Sequence, residues 1–276
     1  MRQSPEQEGF NPEETFERKK TKFFSQLALH AKESFRLHKE AGLWERKEGK
    51  RDWGNVSEHC LVEIARSEIF ADWLGFSEET KKSLMTAAAL HDFNKKQEIQ
   101  RVKEAIAEGK SNWEAFEISG KESQQRMTES GFSETVVWLA SSVGHTSFAN
   151  TEAIMKKSEL SEDELAYLIL HYIDEYTRGS EWAIPAETDR NGDRINEIDR
   201  RVDKNIANPN YHQLDEEGRA HFGGATTFQT QRRIGHEVEK LLASIISEKR
   251  GDPIESTNLP ELVDQDLRTK IDTEVM

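Results

Sequence analysis

The sequence of 276 residues contains a single cysteine, Cys60, and this scarcity limits the sites that it can build. One thiol excludes an internal disulfide and any zinc site made from several cysteines. No apolar run approaches the ~20 residues that a helix needs to cross a bilayer, and the first residues lack the apolar segment of a signal peptide. We therefore expect a cytoplasmic protein with no membrane partner.

Basic residues are fewer than acidic residues. Lys and Arg total 38 against 52 Asp and Glu, which gives a formal net charge of -14. A surface of this sign repels both nucleic acid and anionic membranes, so no nucleic-acid partner is expected. Thirteen Phe and six Trp, together with aliphatic runs, leave enough apolar side chains for a core, so extensive disorder is not expected. The composition leaves the oligomeric state open.

The few prolines and the charged stretches divide the chain. Residues 1–20 hold two prolines and many glutamates, and are predicted to be a mobile acidic extension. Residues 251–276 hold two more prolines and few apolar groups, and are predicted to be a peripheral C-terminal tail that can include a short helix near Leu262 to Ile271. Residues 21–250 are expected to form one helical domain, with an insertion at about 180–226 where Pro and Gly punctuate a charged segment. That insertion is predicted to be long and partly irregular, and to precede the last core helix.

Apolar residues recur every three or four positions through most of the chain, the spacing that places them on one face of an α-helix. No segment shows the alternation of a half-buried strand. Ser57 is a possible N-cap, Ser77 is expected to start a helix, and Ser133 and Ser161 precede further helical runs. The sequence therefore predicts an all-α fold.

A histidine and an aspartate stand together at the end of an apolar helical run. His91 and Asp92 directly follow residues 87–90, where a buried charge without a partner would be costly. A divalent cation would compensate both groups at once, through an imidazole nitrogen and a carboxylate oxygen. The adjacent pair therefore indicates a metal site.

Two further residues that can bind metals lie within apolar helical runs. His59 lies beside Cys60 on an apolar face, and Asp174 follows the apolar run of residues 165–173. Each has a simpler explanation by itself. His59 could be a core histidine with satisfied hydrogen bonds, and Asp174 could pair with Arg178 one turn later. Four such residues in one chain favour a shared metal over separate explanations.

The order His59, then His91-Asp92, then Asp174 resembles the HD-domain superfamily of metal-dependent phosphohydrolases. Residues 87–95 are similar to its pattern of an apolar run, His-Asp, two residues and Lys, and residues 56–62 are similar to its first-histidine helix. The resemblance covers roughly residues 50–180, the expected metal-site core. The chain departs from the pattern at Phe93-Asn94, where small or aliphatic residues are common, and in the long interval between Asp92 and Asp174.

The resemblance implies an HD-domain-like helical bundle in which His59, His91, Asp92 and Asp174 hold one divalent transition metal. Manganese, cobalt, nickel, zinc and iron all suit such a site. Asp92 would also orient the attacking water, and Lys95 would neutralise a phosphate, although Lys95 could equally be a solvated helix end. The implied substrate is a small phosphate mono- or diester, with nucleotides among the candidates.

Other basic residues are candidates for substrate binding or for a second metal. His145, Arg178 and Arg51 are the substrate-binding candidates. Some members of the superfamily hold two metals, so His145 and His171 would become ligands of a second ion here. A core or supporting role is the simpler expectation for His171. The remaining histidines are expected at the surface: His30, His38, His212, His221 and His236.

Two other functions stay open at this point. A minority of the superfamily uses a two-iron centre for oxidative cleavage, and this alternative requires both His145 and His171 as ligands. The chain could also be a nucleotide-binding regulatory module that keeps the fold and the metal without turnover. A shared scaffold can host different reactions, so the resemblance does not choose between them.

Overall fold

A computed structural model describes residues 12–44, 53–184, 187–188, 190–192 and 194–274. It confirms the all-α prediction: the chain is 76% helix and has no strand in these ranges beyond an isolated bridge between Thr188 and Arg194. None of the described helices has the length and apolar character to cross a membrane. The thirteen α-helices are α1 (Pro12–His30), α2 (Lys32–Glu40), α3 (Gly54–Leu74), α4 (Glu78–Leu90), α5 (Lys95–Ala107), α6 (Asn112–Glu129), α7 (Glu134–Ala140), α8 (Phe148–Met155), α9 (Glu162–Tyr176), α10 (Glu197–Ile206), α11 (His212–His221), α12 (Thr227–Arg250) and α13 (Leu259–Glu274).

Helix α9 lies at the centre of the bundle. Every residue from 166 to 176 is buried, and the helix packs against α3, α4, α7, α10 and α12. A helix that is apolar on all sides is stable only when it is covered all round. His171, Asp174 and Glu175 are therefore polar groups held inside the core, where each needs a partner.

Three of the four serines that precede helical runs in the sequence are N-caps. The hydroxyls of Ser77, Ser133 and Ser161 accept hydrogen bonds from the backbone N–H three residues on, and Ser161 forms a capping box with Glu164. The prediction for Ser57 is wrong, because α3 already begins at Gly54. The buried Ser57 hydroxyl instead lies inside α3, facing the preceding helix.

The turn between α4 and α5 fixes the position of the His-Asp pair. Helix α4 ends at Leu90, and residues 91–94 form the turn before α5 begins at Lys95. Phe93 is fully buried and so anchors the turn in the core. Since α4 packs extensively on α3, the turn holds His91 and Asp92 beside the middle of α3.

The insertion is more regular than predicted. It contains α10 and α11, with Asn196 capping α10 through hydrogen bonds from the N–H groups of Ile198 and Asp199. Helix α10 packs on α9 and α12 through the fully buried Ile198 and Val202. The insertion therefore brings a helix against the end of α9 that carries Asp174.

The two terminal segments contribute helices to the bundle. Residues 259–274 form α13, which includes the short helix expected near Leu262 to Ile271, and its Leu259, Val263, Leu267 and Ile271 are fully buried against α1 and α3. At the other end, α1 begins at Pro12 and buries Phe16, so the predicted extension is helical from residue 12. Residues 1–11 lie outside the described ranges.

Candidate metal centre

Four side chains from two helices and one turn converge inside the bundle. His59 and Glu63 come from α3, His91 from the turn after α4, and Asp174 from α9. One ligand atom from each lies within 4.8 Å of the others. The Nε2 atom of His59 is 3.0 Å from Oε1 of Glu63 and 3.4 Å from Oδ1 of Asp174, and Nε2 of His91 is 3.3 Å from Oε2 of Glu63. This buried group could bind a metal ion.

Helical spacing explains why His59 and Glu63 share the centre. They are four residues apart on α3, so their side chains project from the same face. Glu63 is completely buried, and neither carboxylate oxygen makes a hydrogen bond of acceptable geometry. A buried carboxylate without hydrogen bonds needs a cation or a bound proton to offset its charge.

The two imidazoles are oriented by backbone carbonyls. The Nδ1–H of His59 donates to the Gly179 carbonyl at 2.7 Å, and the Nδ1–H of His91 donates to the Ala88 carbonyl at 2.9 Å. These bonds leave the Nε2 lone pair of each ring directed at the carboxylates. Metal-binding histidines are held in this way, because the bond at one nitrogen fixes the tautomer and the ring orientation.

The negative charges within the group favour a bound cation or an added proton. Burial alone would lower the pKa of His59, but Glu63 and Asp174 overcome it and raise that pKa to about 9. Burial raises the pKa of Glu63, although His59 and His91 oppose the change. Without a metal, the group therefore relies on a proton on His59 to balance its carboxylates.

The donor set fits a divalent transition metal. Ligand atoms bound to one ion at about 2.0–2.2 Å lie at most about 4.4 Å apart, so the 4.8 Å group needs only a small contraction to hold one. Nε2 of His91 is another buried atom that makes no hydrogen bond. Two imidazoles with two carboxylates suit zinc, manganese and iron alike, so the donors do not select one metal.

Asp92 and Lys95 lie at the edge of the group. Oδ2 of Asp92 is 4.0 Å from Nε2 of His91, and Oδ1 is 3.3 Å from Nζ of Lys95. The Asp92 side chain is 16% exposed and that of Lys95 is 36% exposed, so they mark a side that solvent reaches. Burial opposes ionisation of Asp92, but Lys95 and His91 lower its pKa overall. Asp92 stands outside the closest four-residue group, which contains Glu63 instead.

Arg201 of α10 contacts the opposite edge. Its guanidinium donates to the Asp174 backbone carbonyl and, at 3.1 Å, to Oδ2 of the Asp174 carboxylate. Burial alone would raise the pKa of Asp174, but Arg201 and His59 bring it well below its usual range. Asp174 thus pairs with Arg201 of the insertion, and not with Arg178 as the simpler sequence interpretation proposed.

His145 and His171 each keep one nitrogen without a hydrogen bond. Gly144, with a φ of 91°, precedes the 3-10 turn His145–Ser147, and the His145 ring lies between Phe116, Phe148 and Phe228. Burial, aided by Lys95, lowers the pKa of His145 to about 3, so its imidazole is neutral. The Nδ1–H of His171 donates to the Ser142 carbonyl at 2.9 Å. Nδ1 of His145 and Nε2 of His171 are buried and unpaired.

Arg178 pairs with carboxylates of the insertion rather than with the centre. Arg178 donates to both carboxylate oxygens of Glu197, and its Nη1 is 3.3 Å from Glu187. Those carboxylates already balance its charge. Arg51 lies outside the described residues, so its candidacy stays a prediction.

The expectation of surface positions is wrong for His38. The ring is fully buried, with Nε2–H donating to the Ala89 carbonyl at 2.6 Å and Nδ1 3.1 Å from the Ser57 hydroxyl. It supports the last turn of α4, two residues before His91. His212 and His221 are exposed and His236 is partly buried, while the side chain of His30 lies outside the described part of the chain.

No protein-family model matches the chain, and comparisons with curated proteins and with solved structures find no significant similarity. The assignment of a function therefore depends on the residues of the centre and on the motif resemblance.

Proposed function

We propose that the chain is a metal-dependent phosphohydrolase that acts on a phosphate mono- or diester, with nucleotides among the candidate substrates. The observation that carries the proposal is the buried group of His59, Glu63, His91 and Asp174, flanked on its accessible side by Asp92 and Lys95. The similarity of His59, His91-Asp92 and Asp174 to the HD-domain pattern supports the same conclusion.

A bound divalent ion would supply two effects, a lower pKa for a water molecule that it binds and polarisation of a phosphoryl oxygen. The chain supplies the remaining elements. Asp92 is ionised because Lys95 and His91 lower its pKa, so it can accept a proton from the attacking water. The reaction forms a bond between that water oxygen and phosphorus and breaks the ester P–O bond, and the water proton passes to the leaving oxygen.

Lys95 provides a fixed positive charge for the phosphate. Burial alone would lower the pKa of Lys95, but Asp92 and Glu98 raise it well above its usual range, so the side chain is protonated. Its amine is partly exposed and lies 3.3 Å from Asp92, next to the acceptor of the water proton. A cation there stabilises the negative charge that grows on the phosphoryl oxygens.

A two-iron oxygenase is the second candidate, favoured by the unpaired nitrogens of His145 and His171. Against it, these residues join no group of three or more possible ligands in the part of the chain that the structure describes. Oxygen consumption by the iron-loaded protein would support this candidate over hydrolysis.

The test is a hydrolysis screen of the metal-loaded protein against aryl phosphate mono- and diesters and against nucleotides. We expect turnover of at least one class, its loss on adding a chelator, and its loss in His91→Gln with helical content retained. A loaded protein that binds nucleotides but hydrolyses none of these esters would favour the regulatory module. Turnover that persists in His91→Gln would contradict the mechanism.

A further inference from the structure

The carbonyl that orients His59 lies on the loop of residues 177–184, directly after α9. His59 donates its Nδ1–H to the Gly179 carbonyl of this loop at 2.7 Å. That bond directs Nε2 of the ring toward the carboxylates of Glu63 and Asp174. Gly179 has a φ of 52°, in the left-handed region that glycine adopts readily. Loops are more mobile than the helices they connect, so the position of this carbonyl depends on the contacts that hold the loop.

Arg66 of α3 binds the loop on both sides of Gly179. Its Nη1 donates to the Thr177 hydroxyl at 2.7 Å. Its Nη2 donates to the carbonyls of Glu181 and Trp182, at 3.3 Å each. Because Gly179 lies between these contacts along the chain, one side chain fixes the backbone before and after it. A guanidinium suits this role, since its N–H donors are held in a rigid plane.

Asp264 of α13 fixes Arg66 in turn. Its Oδ1 accepts from Nε and Nη2 of Arg66 at 3.2 and 3.0 Å. Its Oδ2 accepts from the N–H of Ile184 at 2.8 Å, so the same carboxylate also holds the end of the loop. Arg66 is fully buried and its guanidinium lies 4.9 Å from the centre of the Tyr176 ring. Separating this buried pair would leave a charge without a partner, which keeps the two side chains together.

Helical spacing places Arg66 on the face of α3 that carries the ligands. His59, Glu63 and Arg66 stand at positions i, i+4 and i+7, so all of them project from one side of the helix. The helix therefore presents two residues of the metal centre and, one turn further, the side chain that holds the carbonyl behind His59. Since α13 packs on α3 and supplies Asp264, the C-terminal helix is connected to the centre through Arg66 and the loop.

We propose that Arg66 is a positioning residue of the metal centre: paired with Asp264, it holds the 177–184 loop so that the Gly179 carbonyl keeps the His59 ring directed at the metal. This inference rests on the metal site of the proposed function and extends that site to α13. The hydrogen bond at one imidazole nitrogen fixes the tautomer and the orientation of the ring. A displaced carbonyl therefore weakens metal binding at the other nitrogen, although Arg66 itself is not a ligand.

The test uses the full chain loaded with Zn²⁺, which is diamagnetic, and measures two quantities. The first is the Zn²⁺ affinity, obtained by competition with a chromogenic chelator. The second is the rate at which the Nδ1 proton of His59 exchanges with solvent, read from its ¹⁵N–¹H signal in protein labelled at histidine. The signal is assigned by its absence from His59→Gln. Circular dichroism gives the helical content of each protein.

The main variant is Arg66→Lys, which keeps a positive charge beside Asp264 but cannot hold the hydroxyl and both carbonyls of the loop together. Thr177→Val is a milder variant that keeps the shape of the side chain and removes the hydroxyl that accepts from Nη1. Arg194→Lys is the matched control, because Arg194 also pairs with a carboxylate of α13, that of Glu261.

We expect Arg66→Lys to bind Zn²⁺ about tenfold more weakly than the wild type, the lower end of the usual cost of losing a group that orients a ligand. Its His59 Nδ1 proton should exchange faster, because the bond to Gly179 forms less often. Thr177→Val should change both quantities in the same direction but less, and Arg194→Lys should change neither. A loss of global stability alone leaves the affinity unchanged while nearly all of the protein is folded.

Wild-type Zn²⁺ affinity and slow proton exchange in a folded Arg66→Lys would overturn the role of Arg66. If that variant does not fold, the same two results in Thr177→Val would overturn it. A wild type that binds Zn²⁺ and hydrolyses no ester would contradict the phosphohydrolase proposal and leave the role of Arg66 standing. A wild type that binds no Zn²⁺, Mn²⁺ or Fe²⁺ would overturn the metal centre and this role with it.

Discussion

Glu63 follows His59 by one turn of α3, and its Oε1 lies 3.0 Å from Nε2 of that histidine. The same carboxylate places Oε2 3.3 Å from Nε2 of His91, so it joins both imidazoles of the centre. Because the two nitrogens and both oxygens are directed at one another inside the core, a cation among them would satisfy all of them at once.

Replacing Glu63 with glutamine is expected to weaken metal binding by at least about tenfold, because the amide keeps the shape of the side chain but lacks its charge. Glu68→Gln is the matched control: it changes a carboxylate on the same helix that pairs with Lys81 and Lys270. Titration of each protein with Mn²⁺ checks the difference. Equal affinities in the two variants would show that Glu63 is not a ligand.

Replacing Lys95 with methionine is expected to lower kcat/KM for the phosphate ester by about 10²-fold or more, the usual cost of removing one group that stabilises a developing negative charge. Lys96→Met provides the control, because the adjacent Lys96 is exposed. Metal content is expected to stay unchanged in both. If Lys96→Met lost as much activity as Lys95→Met, the loss would come from general positive surface charge and not from a specific position of Lys95 at the phosphate.

Three of the four residues in the candidate metal centre can be predicted from the sequence, because His59, His91 and Asp174 stand within apolar helical runs. Glu63 gives the same signal, since it interrupts the apolar stretch of residues 60–65 one turn after His59, but it is absent from the predicted set. The contact of Arg201 with Asp174 depends on how α10 packs against α9, which the sequence does not show. The residues next to His38 in the sequence are polar and predict a surface position, whereas packing against α4 buries the His38 ring.

Helix α13 is only partly predictable from the sequence. Leu259, Val263, Leu267 and Ile271 recur every four residues, which is the pattern of a helix with one buried face. The pattern predicts a short helix near Leu262 to Ile271, but two prolines and many charged residues indicate a peripheral position for it. Burial of this face required α1 and α3 as partners, and the tertiary arrangement that supplies them cannot be read from the segment alone.

Arg66 joins α13 to α3, the helix that carries His59 and Glu63. Its buried guanidinium donates to Asp264, to the Thr177 hydroxyl and to the carbonyls of Glu181 and Trp182, on the loop that also carries Gly179. Arg66→Met should lower the free energy of unfolding by about 3–5 kcal/mol, because Asp264 would be left buried and unpaired. Urea denaturation measures the loss.

A double variant, Arg66→Met with Asp264→Asn, serves as the control for that prediction. It should lose less stability than the two single variants added together, because the unpaired charge is then absent. A loss below about 1 kcal/mol in Arg66→Met alone, which is the range of surface ion pairs, would contradict a buried role for this pair.

His236 should make the docking of α10 on α12 sensitive to pH. Its contact with Glu239 and its hydrogen bond to Asp199 raise its pKa above the ordinary 6.5, although partial burial opposes the change. A raised folded pKa means that the stabilisation is complete below about pH 6.5 and is lost as the pH rises through the folded pKa.

Thermal unfolding of the wild type and of His236→Gln at several pH values tests the direction of this pH dependence. The wild type should be the more stable protein at pH 6, by less than about 1 kcal/mol because the contact is partly exposed, and the difference should shrink at higher pH. His212→Gln, at an exposed histidine, should show no such trend. A stability difference between the two proteins that grew with pH would contradict a raised pKa for His236.

The metal content of wild-type protein purified without chelators tests the central claim most directly, because every functional step depends on an ion held by His59, Glu63, His91 and Asp174. Elemental mass spectrometry should find about one divalent transition metal per chain, and markedly less in His59→Gln. Absence of any metal, even after incubation with manganese, iron, cobalt, nickel and zinc, would contradict the account and leave the group as a buried network in which a proton on His59 balances the carboxylates.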